Sequence, residues 1–228
     1  MLRRDYILRM IEQFFQALTR IKSLKQGEHW QQAAGTVDEE FNRLIGAGVQ
    51  AVAQLSETEL LARVIQGEPT LAVHDKTLML STLLKEAGDL ATAQDRIEEG
   101  RSYYLKGLHL LLNTLARDHV AEWPEFVPKV EIFVTALGSS PLPLQTEVLL
   151  MQHYERTGEF AKAEDALFAM LQAEPQNPGL VEFGISFYQR LEGQSDANLS
   201  VGNLPRPEFE AGLAELRARK TALSSGTG

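Results

Sequence analysis

The sequence predicts an all-α protein assembled from antiparallel helix pairs. Three observations carry that expectation. Apolar residues recur at spacings of three and four from residue 5 to about residue 220, the period of one helix face. No segment sustains the period-two alternation of a half-buried strand. Gly, Pro and Asn fall between the periodic stretches at helix-length intervals, where they stop one helix and start the next.

Ile7, Ile11, Phe14, Leu18 and Ile21 form the stripe of a first helix, and Tyr6, Leu8, Met10 and Phe15 widen it. A stripe this broad packs against more than one partner. Gly27 stops it. A second helix begins near Glu28 or Trp30 and carries Phe41, Leu44 and Ile45 towards Gly46. Ser56 with Glu59 three residues on has the form of a capping box. Leu60, Leu61, Val64 and Ile65 follow as the face of a short helix, with Gly67 and Pro69 as its stop. Residues 71–117 read as a helix pair. Its first member carries Leu78, Leu80, Leu83 and Leu84 and stops at Gly88-Asp89. Its second carries Ile97, Tyr104, Leu108, Leu111 and Leu115. Ala93, Gly100 and Gly107, seven apart, line one stripe of small residues. Gly costs about 1 kcal/mol against Ala inside a helix, so the stripe predicts a close helix approach.

Trp123-Pro124 and Pro128 precede a short helix of Val130, Phe133, Val134 and Leu137, which Gly138 closes. Pro141 and Pro143 make a loop before a further pair at 144–177. Asn177-Pro178 starts the next helix as N-cap and first residue, with Leu180, Phe183, Phe187, Tyr188 and Leu191 on its face and Gly193 at its end. Residues 194–206, rich in Ser, Asn, Asp, Gly and Pro, read as a linker or ordered loop. Pro207 opens a last helix with Phe209, Leu213 and Leu216. Its acids Glu208 and Glu210 come first and its bases Arg217, Arg219 and Lys220 last, as the helix dipole favours. The tail from Ser224 has nothing to bury.

Residues 144–177 resemble a tetratricopeptide repeat. Leu150, Tyr154, Gly158, Phe160, Ala163, Leu167, Leu171, Pro175 and Asn177 stand at the positions of that pattern, Gly158 freeing the turn and Ala163 letting two helices cross. Glu147 stands where Trp is usual, and Met151 where Gly is usual. A weaker copy has Leu80, Leu84, Gly88, Leu90, Ala93, Ile97 and Gly100 where Leu150, Tyr154, Gly158, Phe160, Ala163, Leu167 and Met170 fall. Trp30 and Ala33 after Gly27 give a third echo. The expected architecture is a short right-handed solenoid of tetratricopeptide-like pairs with capping helices. It spans residues 1–193, and 194–228 follow as linker, C-terminal helix and flexible tail. The opening Arg3-Arg4-Asp5-Tyr6-Ile7-Leu8-Arg9-Met10-Ile11-Glu12-Gln13 resembles the start of a family of uncharacterised proteins from Gram-positive bacteria, and the likeness extends into the pair at 71–117. The resemblance implies a helical, tetratricopeptide-like cytosolic protein and carries over no catalytic residue.

The chain of 228 residues has no cysteine, so disulfides, thiolate catalysis and cysteine-ligated metals are excluded. Asp5, Arg9, Glu12 and Gln13 interrupt any leader-like apolar run, and no stretch reaches the ~18 apolar residues of a membrane span. The reading is cytoplasmic. Net charge is −9, which disfavours nucleic acid as a partner. Residues 1–25 nevertheless hold six basic residues against two acidic ones. Either this helix docks on an acidic body, or it presents a basic amphipathic surface to anionic lipid or nucleic acid.

His29, His74, His109, His119 and His153 include no pair four apart on a helix, so no metal site is expected. Gly184-Ile185-Ser186-Phe187-Tyr188 lacks the second Gly of a nucleophile elbow. No phosphate loop or dinucleotide fingerprint exists. Glu98-Glu99, adjacent on a helix, do not face each other. Phe183, Phe187 and Tyr188 read as core. The sequence predicts no enzyme and no cofactor. It points to a scaffold or adaptor that binds a protein or peptide in a groove, through Gln145, Val148, Gln152 and Arg156 on the first helix of the best repeat. Val148 and Gln152 do not supply the Lys and Asn of a carboxylate-clamp co-chaperone. The alternative is a structural homo-oligomer, down to a homodimer, that self-associates through the amphipathic first helix.

Overall fold

The computed structural model describes residues 2–66, 68, 70–117 and 124–225. Gly67, Pro69, His119 and Trp123, read above as stops or neighbours, lie outside the described residues. The described residues hold twelve α-helices and no strand. Two compact units result, Met1–Pro141 and Leu142–Gly228.

In the first unit, α1 (Leu2–Gln26) packs on α2 (Trp30–Ile45) and on α5 (Thr70–Ala93). Met10, Phe14, Leu18 and Ile21 are buried, Ile7 and Ile11 half-buried. The first helix is therefore docked. Phe14 meets Phe126 edge-on at 5.3 Å. In α2, Ala33, Val37, Phe41, Leu44 and Ile45 face inwards, and Gly46 closes the helix at φ 64°. Next come α3 (Val49–Gln54) and α4 (Glu57–Ile65). Ser56 and Glu59 make the reciprocal capping box that their spacing predicts.

The α5–α6 pair (α6, Ile97–Arg117) corrects three expectations. First, α5 does not stop at Gly88-Asp89; it continues to Ala93. Gly88 is a crossing residue: a Cβ there would sit 2.6 Å from the Tyr104 ring. Second, Ala93 is exposed at the end of α5, not on a stripe with Gly100 and Gly107. Those two do admit the neighbouring backbone, since added Cβ atoms would lie 3.1 Å from the Gly88 carbonyl and 3.2 Å from the Ser81 carbonyl. Third, Ile97 is 54% exposed in the first turn of α6, whereas Tyr104, Leu108 and Leu111 are buried. The helix α7 (Val130–Leu137) lays Phe133 against α6 beside Gly107.

In the second unit, α8 (Leu144–Thr157) packs on α9 (Phe160–Ala173), with Leu150, Met151, Ala163 and Leu167 buried. Asn177 caps α10 (Pro178–Leu191), its Oδ1 accepting from the N–H groups of Gly179 and Leu180. At Gly184 an added Cβ would lie 2.5 Å from Leu216 and 2.9 Å from Leu167, so α10 is pressed between α9 and α12 (Arg206–Ser225). Residues 194–206 are ordered. Ser195 caps a short α11 (Asp196–Val201), Leu199 and Leu204 are fully buried, and the Gly202 carbonyl accepts from Ala161 N–H at 3.0 Å. A boundary at 193/194 is not where contacts thin out: α12 packs on α10 within one unit, and the division falls in the Pro-containing connection at 141/142.

Four helix ends share one hydrogen-bond pattern. Each has a residue at positive φ: Glu28, Asp95, Gly158 and Asn203. Its N–H bonds three residues back, and the following N–H bonds five residues back, as in Lys25 and Leu24, Thr92 and Ala91, Glu155 and Tyr154, Ser200 and Leu199. This is a Schellman-type closure. Aligned on these residues, Asp95 answers to Gly158, Gly100 to Ala163 and Gly88 to Met151. This alignment of the two hairpins differs from the one that pairs Gly88 with Gly158.

Candidate functional site

Spacings of three and four place Gln145, Val148, Gln152 and Arg156 along one side of α8. Gln145 and Arg156 are exposed, Val148 and Gln152 half-buried. The Arg156 Nε donates to the Gln152 carbonyl at 3.2 Å, so the guanidinium lies back along its own helix. One residue earlier, Glu155 accepts a two-pronged bond from Arg190 of α10, Nε at 2.6 Å and a terminal nitrogen at 2.8 Å. Bidentate geometry fixes orientation as well as charge. Sequence reasoning missed this bridge; its only signal is a basic residue on α10 with an acid on α8.

Glu147 is half-buried; burial pushes its carboxyl above the ordinary range against a hydrogen bond from the Leu142 backbone. Tyr154 is buried with Lys162 5.1 Å from its ring centre. Tyr188 donates to Glu164, and Gly212 leaves room for that hydroxyl, since a Cβ there would overlap it. Phe187 and Tyr188 are buried, in core rather than in a groove.

The first unit holds two polar clusters inside its packing. The Lys25 Nζ donates to Glu86 at 2.6 Å and to Asp89; Lys85 donates to the same Asp89 oxygen at 2.7 Å; the Tyr104 hydroxyl donates to the other at 2.9 Å. Burial alone would raise the Asp89 carboxyl, but the bonds from Lys25 and Lys85 hold it below its ordinary value. Two ammonium groups balance two carboxylates, and the cluster ties α1 to α5. Lys106 is buried and donates to the carbonyls of Val52 and Ala53 at 3.0 and 2.6 Å. Burial depresses its ammonium despite Glu57 and Glu59 nearby.

His29 precedes α2 and is exposed, whereas His74, His109 and His153 are half-buried. No group of three or more His, Asp or Glu is placed to hold a metal among the described residues. None of their helices is long and apolar enough to cross a membrane. A family of unknown function (DUF6483) matches the chain over residues 1–221. No curated protein and no solved structure was found to match it.

Proposed function

The chain belongs to this family of unknown function, and within it we propose a non-enzymatic, tetratricopeptide-like scaffold that binds a protein or peptide partner in the cytoplasm. The observation that carries the reading is the construction of the second unit. The α8–α9 hairpin combines a left-handed Gly158 with a fully buried Ala163 at the crossing. Tyr188 stands one repeat length, about 34 residues, after Tyr154, and both are buried. In this reading α8 and α10 are successive first helices and α11 is an insertion before the second helix, α12. The two first helices are joined through Glu155 and Arg190. The register of α5–α6 supports the same plan, with Gly88 where Met151 stands and Gly100 where Ala163 stands.

First helices line the concave face of such stacks, which assigns partner contact to Gln145, Val148, Gln152 and Arg156. That assignment is by likeness of fold, which does not fix function. A photo-crosslinking residue at Gln152, compared with one at the exposed Ala211 of α12, tests it in the native cell. One partner captured from position 152 alone, and lost on Val148→Glu, is the expected result. Identical products at both positions would overturn the reading. A second reading, self-association, has its own observation: Tyr6, Leu8 and Phe15 of α1 are 48%, 56% and 49% exposed. Sedimentation as a concentration-independent monomer would remove it.

A further inference from the structure

Between three helices of the first unit lies a cavity of about 210 Å³. Leu61 of α4, Val73, His74 and Thr77 of α5, and Leu110, Asn113, Thr114 and Arg117 of α6 line it. Ligand pockets for drug-sized molecules run to about 300–1,000 Å³, so this one suits a smaller group.

Its chemistry is divided. Leu61, Val73 and Leu110 form an apolar wall. The Thr77 and Thr114 hydroxyls donate to the carbonyls of Val73 and Leu110 at 2.7 and 2.9 Å. Each has spent its proton on its own helix and faces the cavity with acceptor capacity only. Asn113 spends one amide proton on the His109 carbonyl at 3.0 Å and keeps the other. Arg117 differs from these: among the described residues its guanidinium makes no hydrogen bond or ion pair. Five planar donors at the rim of an apolar slot match a carboxylate, which Arg takes in two-pronged fashion.

We propose that this cavity binds a small carboxylate with a short branched aliphatic body, either a free acid or the carboxy-terminal Val or Leu of a peptide. The aliphatic part lies against Leu61, Val73 and Leu110, and the carboxylate meets Arg117 with the spare amide proton of Asn113. The site lies in the first unit and is independent of the scaffold reading of α8.

Titration calorimetry on the full chain tests it with isovalerate, its uncharged isosteric amide, and the peptide Gly-Gly-Val with a free or an amidated C-terminus. Saturable binding of a carboxylate form is expected, weakened at least about tenfold in the amide form and in Arg117→Gln. Leu61→Phe, which narrows the slot without touching the guanidinium, is expected to abolish it. Tighter binding of isovalerate than of the free-ended peptide identifies a free acid as the occupant, and the reverse a peptide terminus. No binding by any probe, or binding indifferent to Arg117→Gln and to amidation, would overturn the proposal.

Discussion

Gly88 is the residue at which a helix stop and a helix crossing make opposite demands, and its replacement by Ala distinguishes them. Gly35 in α2 is the control, because an added Cβ there meets nothing within 4 Å. Both changes gain about 1 kcal/mol of helix propensity. At Gly88 the new methyl would lie 2.6, 2.7 and 2.9 Å from three atoms of the Tyr104 ring, against an ordinary carbon contact of about 3.5–4.0 Å. The ring cannot swing aside freely, since its hydroxyl is held by Asp89 at 2.9 Å. Overpacking costs about 1–3 kcal/mol, and displacing the phenol from a carboxylate adds about 1.5–3 kcal/mol. Gly88→Ala should therefore end about 1.5–5 kcal/mol less stable than the parent, and Gly35→Ala more stable by up to about 1 kcal/mol. Urea denaturation followed by tryptophan fluorescence reads the right unit, because Trp30 and Trp123 both lie within residues 1–141. The midpoint should fall for one variant and rise for the other at unchanged slope. Equal stabilisation by both would refute the crossing at Gly88.

Deleting residues 1–25 should expose the α2 and α5 surfaces that Phe14, Leu18 and Ile21 cover, and it removes Lys25 from the buried Glu86. Aggregation or a large loss of melting temperature is expected; an equally stable, soluble product would make α1 a detachable arm. Burial holds the Glu164 carboxyl above its ordinary 4.5, with the bond from Tyr188 opposing. A raised carboxyl contributes stability below its unfolded value and loses it as pH rises through its folded value. The parent should therefore gain stability on Glu164→Gln as pH falls from about 7 towards 4, and a gap that widens in the other direction would contradict the shift.

Local signals that consume their own neighbours were legible in the sequence. Ser56 with Glu59, Asn177 with Pro178, and the stripe of α1 specify their structures within one or two helical turns. The extent of α5 was not legible, because Gly88 followed by Asp89 has the composition of a stop. Only the Tyr104 ring from another helix shows why Gly is needed in mid-helix. The order of residues 194–206 was hidden for a similar reason: polar and small residues look like a linker until Leu199 and Leu204 find a core. For the α8 face, periodicity names which residues share a side, but the bridge from Glu155 to Arg190 depends on how helices meet. The cavity beside Arg117 gave no sequence signal, since its lining comes from three helices.

The short α3 has a consequence for the order in which the first unit assembles. Six residues are far too few to hold a helix alone in water. Its leading N–H, on Val49, is taken by Asp38 of α2 at 2.7 Å. Its closing carbonyls, on Val52 and Ala53, are taken by Lys106 of α6, across 54 and 53 positions of chain. The Tyr103 hydroxyl adds a bond to the Val49 carbonyl at 3.2 Å. Each end of α3 is thus completed by a helix made at a different time, one before it and one long after it. Closing so long a loop is entropically costly until the rest of the interface rewards it. As the chain leaves the ribosome, α1 and α2 have the means to form their hairpin at once, but α3 has no partner for its closing carbonyls from Lys106 until α6 has emerged.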